Sequence, residues 1–211
     1  ASIEQHGMQP IERLNQLGVL SSRTQTVHMT QLDDTAIQVL LDSGASVVHC
    51  PTSNLKLASG YCPAAQLLDL GVRVGLGTDG AASNNTLSLF DTLRCAALMA
   101  TQQTGSADQL NAAQAFRMAT LGGSEVLGID DQTGSITVGK QADIIAIDTH
   151  SPAMQPVYSP LSQLVYTEAA SAVSHVWIAG KAKVANRQLV DIDLDALIAK
   201  AQWWRNKIIT S

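Results

Sequence analysis

The stretch Val72-Arg73-Val74-Gly75-Leu76-Gly77-Thr78-Asp79-Gly80-Ala81-Ala82-Ser83-Asn84-Asn85 reads as a short buried strand that stops at a carboxylate and gives way to a helix. α/β folds keep their chemistry at the carboxyl ends of such strands. Two earlier segments, Gln25-Thr26-Val27-His28 and Ser46-Val47-Val48-His49-Cys50-Pro51, also read as short strands ending on an ionisable side chain. Parallel strands lay their carboxyl ends side by side, so His28, His49 and Asp79 are expected on one rim, where they point to a metal-assisted or acid/base site.

Each of these residues has a plainer reading when taken alone. Asp79 ahead of a helix is explained as an N-cap, His28 as a buried histidine bonded to a carbonyl, and His49 as a residue needed for the shape of the Cys50-Pro51 turn. Gly75-x-Gly77-x-x-Gly80 matches the dinucleotide fingerprint between a strand and a helix. Asp79, however, would face a pyrophosphate with like charge, and no strand follows at the ribose-binding distance, so the match is read as accidental. His6, His150 and His175 have no partners in view.

The surrounding chain supplies strand-helix units. Pro10 to Leu17 forms a short helix stopped by Gly18; Asp33 or Asp34 caps a helix that Gly44 ends; Pro63 to Leu70 and Leu87 to Gln102 are helical. Pro51 to Cys62 reads as a long functional loop. Residues 108 to 128 read as a helix pair broken at Gly122-Gly123. After about residue 130 the texture becomes Gly-punctuated alternation, with a strand ending near Asp148 and a hairpin turning at Ala179-Gly180-Lys181. The divisions are therefore 1–130, a barrel-like part; 131–192, a small β-domain; and 193–211, a terminal helix whose Trp203 and Trp204 are expected to pack on the fold.

Composition narrows the function. The 211 residues are 45% hydrophobic and 15% charged, enough apolar material for a core. A net charge of −5 with no basic run argues against nucleic acid, and no apolar stretch approaches the roughly 20 residues that span a bilayer. The three cysteines, Cys50, Cys62 and Cys95, lack CxxC spacing, which fits a reducing cytoplasm. A small molecule is the expected partner. The opening Ala1-Ser2-Ile3-Glu4-Gln5-His6-Gly7 reads as the tail of a helix.

Val27-His28-Met29-Thr30, His49-Cys50-Pro51-Thr52-Ser53-Asn54-Leu55-Lys56-Leu57-Ala58-Ser59-Gly60 and Gly77-Thr78-Asp79-Gly80-Ala81-Ala82-Ser83-Asn84-Asn85 together resemble the amidohydrolase superfamily. The nearest branch is the 5-methylthioadenosine/S-adenosylhomocysteine deaminases. The likeness runs on through Gly134-Ser135-Ile136, Gly139-Lys140-Gln141-Ala142-Asp143 and Trp177-Ile178-Ala179-Gly180-Lys181. It implies an α/β fold, the C-terminal part of a (β/α)₈ barrel plus strands of a small β-sandwich, with one divalent metal, zinc or alternatively Fe2+. By that resemblance Asp79 is the metal ligand and the acceptor of a proton from bound water, whose pKa the metal lowers toward 7. His28 stabilises or protonates the oxygen developing at purine C6, and Ser83, with Asp79, contacts substrate. The other ligands of the pattern, the HxH pair and a further His and Glu, have no match here. The expectation is thus a deaminase completed by an N-terminal portion of the same protein and homo-oligomeric. Guanine deaminase or triazine chlorohydrolase chemistry, a non-catalytic half that complements a second chain, and a nucleotide-binding domain stand as alternatives.

Overall fold

The computed structural model describes residues 2–210. Two helices lead in, α1 (Ser2–His6) and α2 (Pro10–Gln16), the second with Pro at its first turn, where no N–H is missed. Then come β1 (Gln25–Val27), α3 (Asp34–Ser43), β2 (Ser46–His49), α4 (Pro51–Lys56), α5 (Ala64–Asp69), β3 (Val74–Leu76), α6 (Ala81–Asn84) and α7 (Leu89–Thr104). The strands form a parallel sheet in the order β1-β2-β3, with Val47 opposite Thr26 on one side and Val74 on the other. All three carboxyl ends therefore lie along one edge.

Local chemistry explains the element ends. Asp33, not Asp34, caps α3 by accepting the Ala36 N–H, and Gly44 closes it in the left-handed region. Ser88 and Gly105 do the same for α7, which runs two residues past the expected Gln102. The core gathers Leu40, Val47, Leu67, Val74, Leu93 and Met118, all at most 2% exposed.

Several expectations fail. Pro51 to Cys62 is not all loop: Pro at the first turn and small polar residues behind it start helix α4. The helix pair is α8 (Ala112–Ala119) and α9 (Leu121–Leu127), broken at Thr120 (φ −125°, ψ −101°) with Gly122 and Gly123 inside α9. These glycines serve close packing. A Cβ on Gly122 would stand 3.0 Å from the carbonyl oxygens of Arg117 and Val74, and one on Gly75 would stand 3.0 Å from Gly123 Cα.

Beyond residue 130 lies an antiparallel sheet of β4 (Ile144–Ile147), β5 (Val173–Ile178), β6 (Lys181–Ala185) and β7 (Gln188–Leu189), in that order. The β5–β6 turn has positive φ at Ala179 and Gly180, as a tight hairpin twisted like its strands requires. Asn186 and Arg187 repeat this conformation to launch β7, a strand too short to register in the alternation. An unexpected helix, α10 (Pro160–Tyr166), interrupts this region and sends Val165 into the core beside α7 and α8. α11 (Leu194–Ile209) buries no residue; Trp203 and Trp204 are 55% and 47% exposed. They pack edge-to-face on each other beneath Lys207. No described helix is long and apolar enough to cross a membrane.

Because the atoms facing Gly122 are backbone, Gly122→Ala should destabilise the protein by about 1–3 kcal/mol through overpacking. Gln103→Ala, on an exposed face of α7, should stay within about 0.5 kcal/mol. Urea unfolding midpoints compare the two; equal midpoints would refute the packing role.

Candidate active site

His28 and Asp79 leave their strands in the same unusual way. The His28 N–H still bonds to Val48 O at 3.1 Å, extending the ladder by one step, and the Gly77 N–H bonds to His49 O at 3.0 Å. The backbone then turns left-handed, with φ 71° at His28 and 60° at Asp79. Histidine and aspartate tolerate that region better than most side chains. The turn swings both side chains out of the pleat over the carboxyl edge, bringing His28 Nε2 within 3.8 Å of Asp79 Oδ2.

Asp79 is not a helix cap: the cap of α6 is Gly80. Its carboxylate instead accepts the Ser53 hydroxyl on Oδ2 at 2.6 Å and the Gly80 N–H on Oδ1 at 2.7 Å. The Ser53 hydroxyl first, then the Gly80 N–H and the Ser83 hydroxyl, with His28 nearby, hold its carboxyl below the usual carboxylate range. Ser83 Oγ also reaches Gly80 O at 3.0 Å, and a hydroxyl serves one acceptor at a time. Ser83 thus lies beside the carboxylate, one turn into α6.

His28 Nδ1 lies 2.9 Å from Asn54 Oδ1. Lys56 Nζ bonds to Ala82 O at 3.0 Å and to Asn85 Oδ1, while Asn84 Nδ2 donates to Thr78 O at 2.7 Å, so the segment after Asp79 is fastened to α4 and to itself. Ser53, Asn54 and Lys56 were missed as site residues. The available signal was polar side chains immediately behind a buried strand: Ser53 and Asn54 are each 1% exposed, and buried polar groups need partners.

His49 does not join this group. It shares the face of β2 that carries Val47, is 2% exposed, and burial lowers its pKa to about 4, so it is a neutral interior imidazole. Burial likewise pushes the Cys50 and Cys62 thiols up to about 11 and about 12, far from a nucleophilic thiolate. The glycines of the apparent dinucleotide fingerprint have packing duties. A Cβ on Gly77 would meet Val48 Cγ1 at 2.8 Å and Cys50 Sγ at 3.1 Å.

A metal finds an incomplete donor set here. Among the described residues no group of three or more His, Cys, Asp and Glu side chains converges to hold an ion, whereas a catalytic zinc takes three protein ligands and keeps an open position. What these residues make by themselves is an acid–base pair.

A parallel sheet that gathers an imidazole and an ionised carboxylate at its carboxyl edge, under a short helix that fastens both, is the arrangement of a barrel-type α/β protein. Comparison with known proteins agrees with this class. The model of the Amidohydrolase family matches residues 1–183, and the chain belongs to that family. It is 48% identical over 208 residues to a 5-methylthioadenosine/S-adenosylhomocysteine deaminase of Teredinibacter turnerae, covering 99% of this chain and 47% of that protein. A protein of the same name from Saccharophagus degradans is 45% identical, with 98% and 46% covered. Among solved structures, an adenosine deaminase from Xanthomonas campestris with bound zinc superposes with a TM-score of 0.97 at 48% identity, over 100% of this chain and 48% of that one. An atrazine chlorohydrolase from Arthrobacter aurescens complexed with zinc gives 0.87 at 30% identity, over 95% and 45%. The chain spans about half the length of the curated relatives it matches.

A carboxylate bonded by donors in the fold has its stabilising effect above its ordinary pKa of 3.8, an effect lost as pH falls through the lower folded value. Ser53→Ala removes the largest of those donors, so the Asp79 pKa should rise toward 3.8 and the acid loss of stability should shrink. Carbon-detected NMR titration of the Asp79 carboxyl reads this directly; an unchanged midpoint in the variant would contradict it.

Proposed function

We propose that the protein of which these residues are part is a metal-dependent aminohydrolase that deaminates 5-methylthioadenosine or S-adenosylhomocysteine at purine C6. The observation that carries the reaction class is the His28–Asp79 pair, imidazole against carboxylate at 3.8 Å on an open rim. Likeness to the named deaminases at up to 48% identity supports the substrate class, against 30% for the chlorohydrolase.

In hydrolytic deamination water adds to C6, the exocyclic nitrogen takes up a proton, and the C–N bond breaks to release ammonia. Asp79, ionised and acceptor-only, takes the proton that water loses. His28, facing the same space, works as the acid–base group on the oxygen forming on C6, and Ser83 offers a hydroxyl to the substrate beside Asp79. A divalent metal, zinc rather than Fe2+, is supported by the zinc-bound relatives. Asp79 is the ligand these residues contribute, and among the described residues the set is incomplete.

The three parallel strands fit the C-terminal part of a (β/α)₈ barrel over 1–130, the antiparallel sheet fits one layer of a small β-sandwich over 131–192, and 193–211 is a closing helix. Both β1 and β3 are edge strands among the described residues, and Val27 on β1 is 47% exposed. Sheet edges are ordinarily paired or covered, which supports an N-terminal portion of the same protein as the covering partner; a cytoplasmic homo-oligomer belongs to the same proposal.

Supplied with zinc, the complete protein should release ammonia from either adenosine thioether and leave guanine and chlorinated triazines untouched. Asp79→Asn should cut kcat by about two to four orders of magnitude, the range of a lost acid–base group. Coupled ammonia detection measures both; turnover of guanine or a triazine in place of the thioethers would overturn the substrate, and an active Asp79→Asn would overturn the mechanism.

A further inference from the structure

α4 emerges from the central strand of the parallel sheet, so its first turn overhangs the ends of both neighbours. Successive helical residues point about 100° apart. Ser53 therefore reaches one way, to Asp79 after β3, and Asn54 the other, to His28 after β1. The Asn54 backbone is pinned at both ends, its N–H on Cys50 O at 3.0 Å and its carbonyl receiving the Ser59 N–H at 2.9 Å. Its side chain is engaged through the oxygen: Oδ1 meets His28 Nδ1 at 2.9 Å, while Nδ2 is buried with no hydrogen bond among the described residues. An amide oxygen accepts and never donates. With the amide in this orientation, the imidazole nitrogen that faces it carries the proton.

We propose that Asn54 is a positioning residue that holds His28 with its proton on Nδ1, leaving Nε2 as the working nitrogen turned toward Asp79. The inference deepens the acid–base reading of that pair and rests on it. With neutral His28 in this tautomer, Nε2 presents a lone pair toward an acceptor-only carboxylate 3.8 Å away. Two acceptors at that separation do not bond each other; together they orient a water that can give one O–H to each. The opposite tautomer would turn an N–H toward the carboxylate and leave Nε2 no lone pair for the water. Because α4 is locked to the sheet, the choice is made before any substrate arrives.

The test is nitrogen NMR of the protein labelled with 15N at its five histidines, recorded metal-free at about pH 8.5, some two units above the ordinary histidine pKa of about 6.5. His28 Nε2 should resonate as the unprotonated, pyridine-like nitrogen and Nδ1 as the protonated one. Asn54→Asp, whose carboxylate can only accept, should preserve this pattern. Asn54→Ala should let the proton move, shifting Nε2 across to the pyrrole-like position. A wild-type spectrum with the proton on Nε2 overturns the proposal without any variant, and so does an Asn54→Asp protein in which the proton moves, because Asn54 would then be acting as a donor. The spectrum requires no turnover, so an inactive protein would count against the deaminase reading and leave the tautomer assignment standing.

Discussion

Parallel pairing of β2 on both of its edges is the constraint from which the rest follows. With Val47 held between Thr26 and Val74, the sheet has no freedom to slip by one residue without turning its core face to solvent. The carboxyl ends of β1 and β3 are then fixed within one residue of each other, opposite Val48 and His49, on either side of the strand that launches α4. One turn of helix, starting at Pro51, is enough to bridge them. Precision at the rim is thereby inherited from the sheet, which is where rigid positioning is most readily obtained.

Much of this was legible in the sequence, and the boundary is physical. Strands that end on His28 and Asp79 announce themselves because short apolar runs and special residues are local signals, and the Ala179-Gly180 turn does so for the same reason. The parallel order and the rim follow from topology rules alone. What sequence did not reveal was contact across elements. Ser53 and Asn54 look like loop polars until the sheet puts His28 and Asp79 beside them, 26 residues away in each case. The helix break at Thr120 was misplaced because glycine is the usual breaker. Here the glycines are instead required by the close approach of α9 to β3. Trp203 and Trp204 were expected to pack on the fold, yet α11 buries no residue.

The left-handed backbone at His28 and Asp79 shows how the strand ends are converted into a site. An L-residue in that region costs roughly 1–2 kcal/mol, and neither position is glycine. The conformation persists because each side chain is held from α4, while the His28 N–H and, two residues before Asp79, the Gly77 N–H are held by β2. Strain that surrounding contacts over-determine clusters at functional positions, and both members of the proposed pair carry it.

The electrostatics divide the rim from the floor beneath it. On the rim, Asp79 is kept ionised chiefly by neutral donors, Ser53, Gly80 and Ser83, with the imidazole a lesser influence. Its charge therefore does not depend on the protonation state of His28. Below, burial holds His49 neutral by lowering its pKa to about 4 and keeps the Cys50 thiol protonated to about 11. A further base or a thiolate beneath the pair would compete for the proton that Asp79 is placed to take. Desolvation of the floor removes those competitors without removing the side chains. One carboxylate and one imidazole are left to do acid–base work at neutral pH, and the hydrogen bonds of α4 decide which atoms of each are offered.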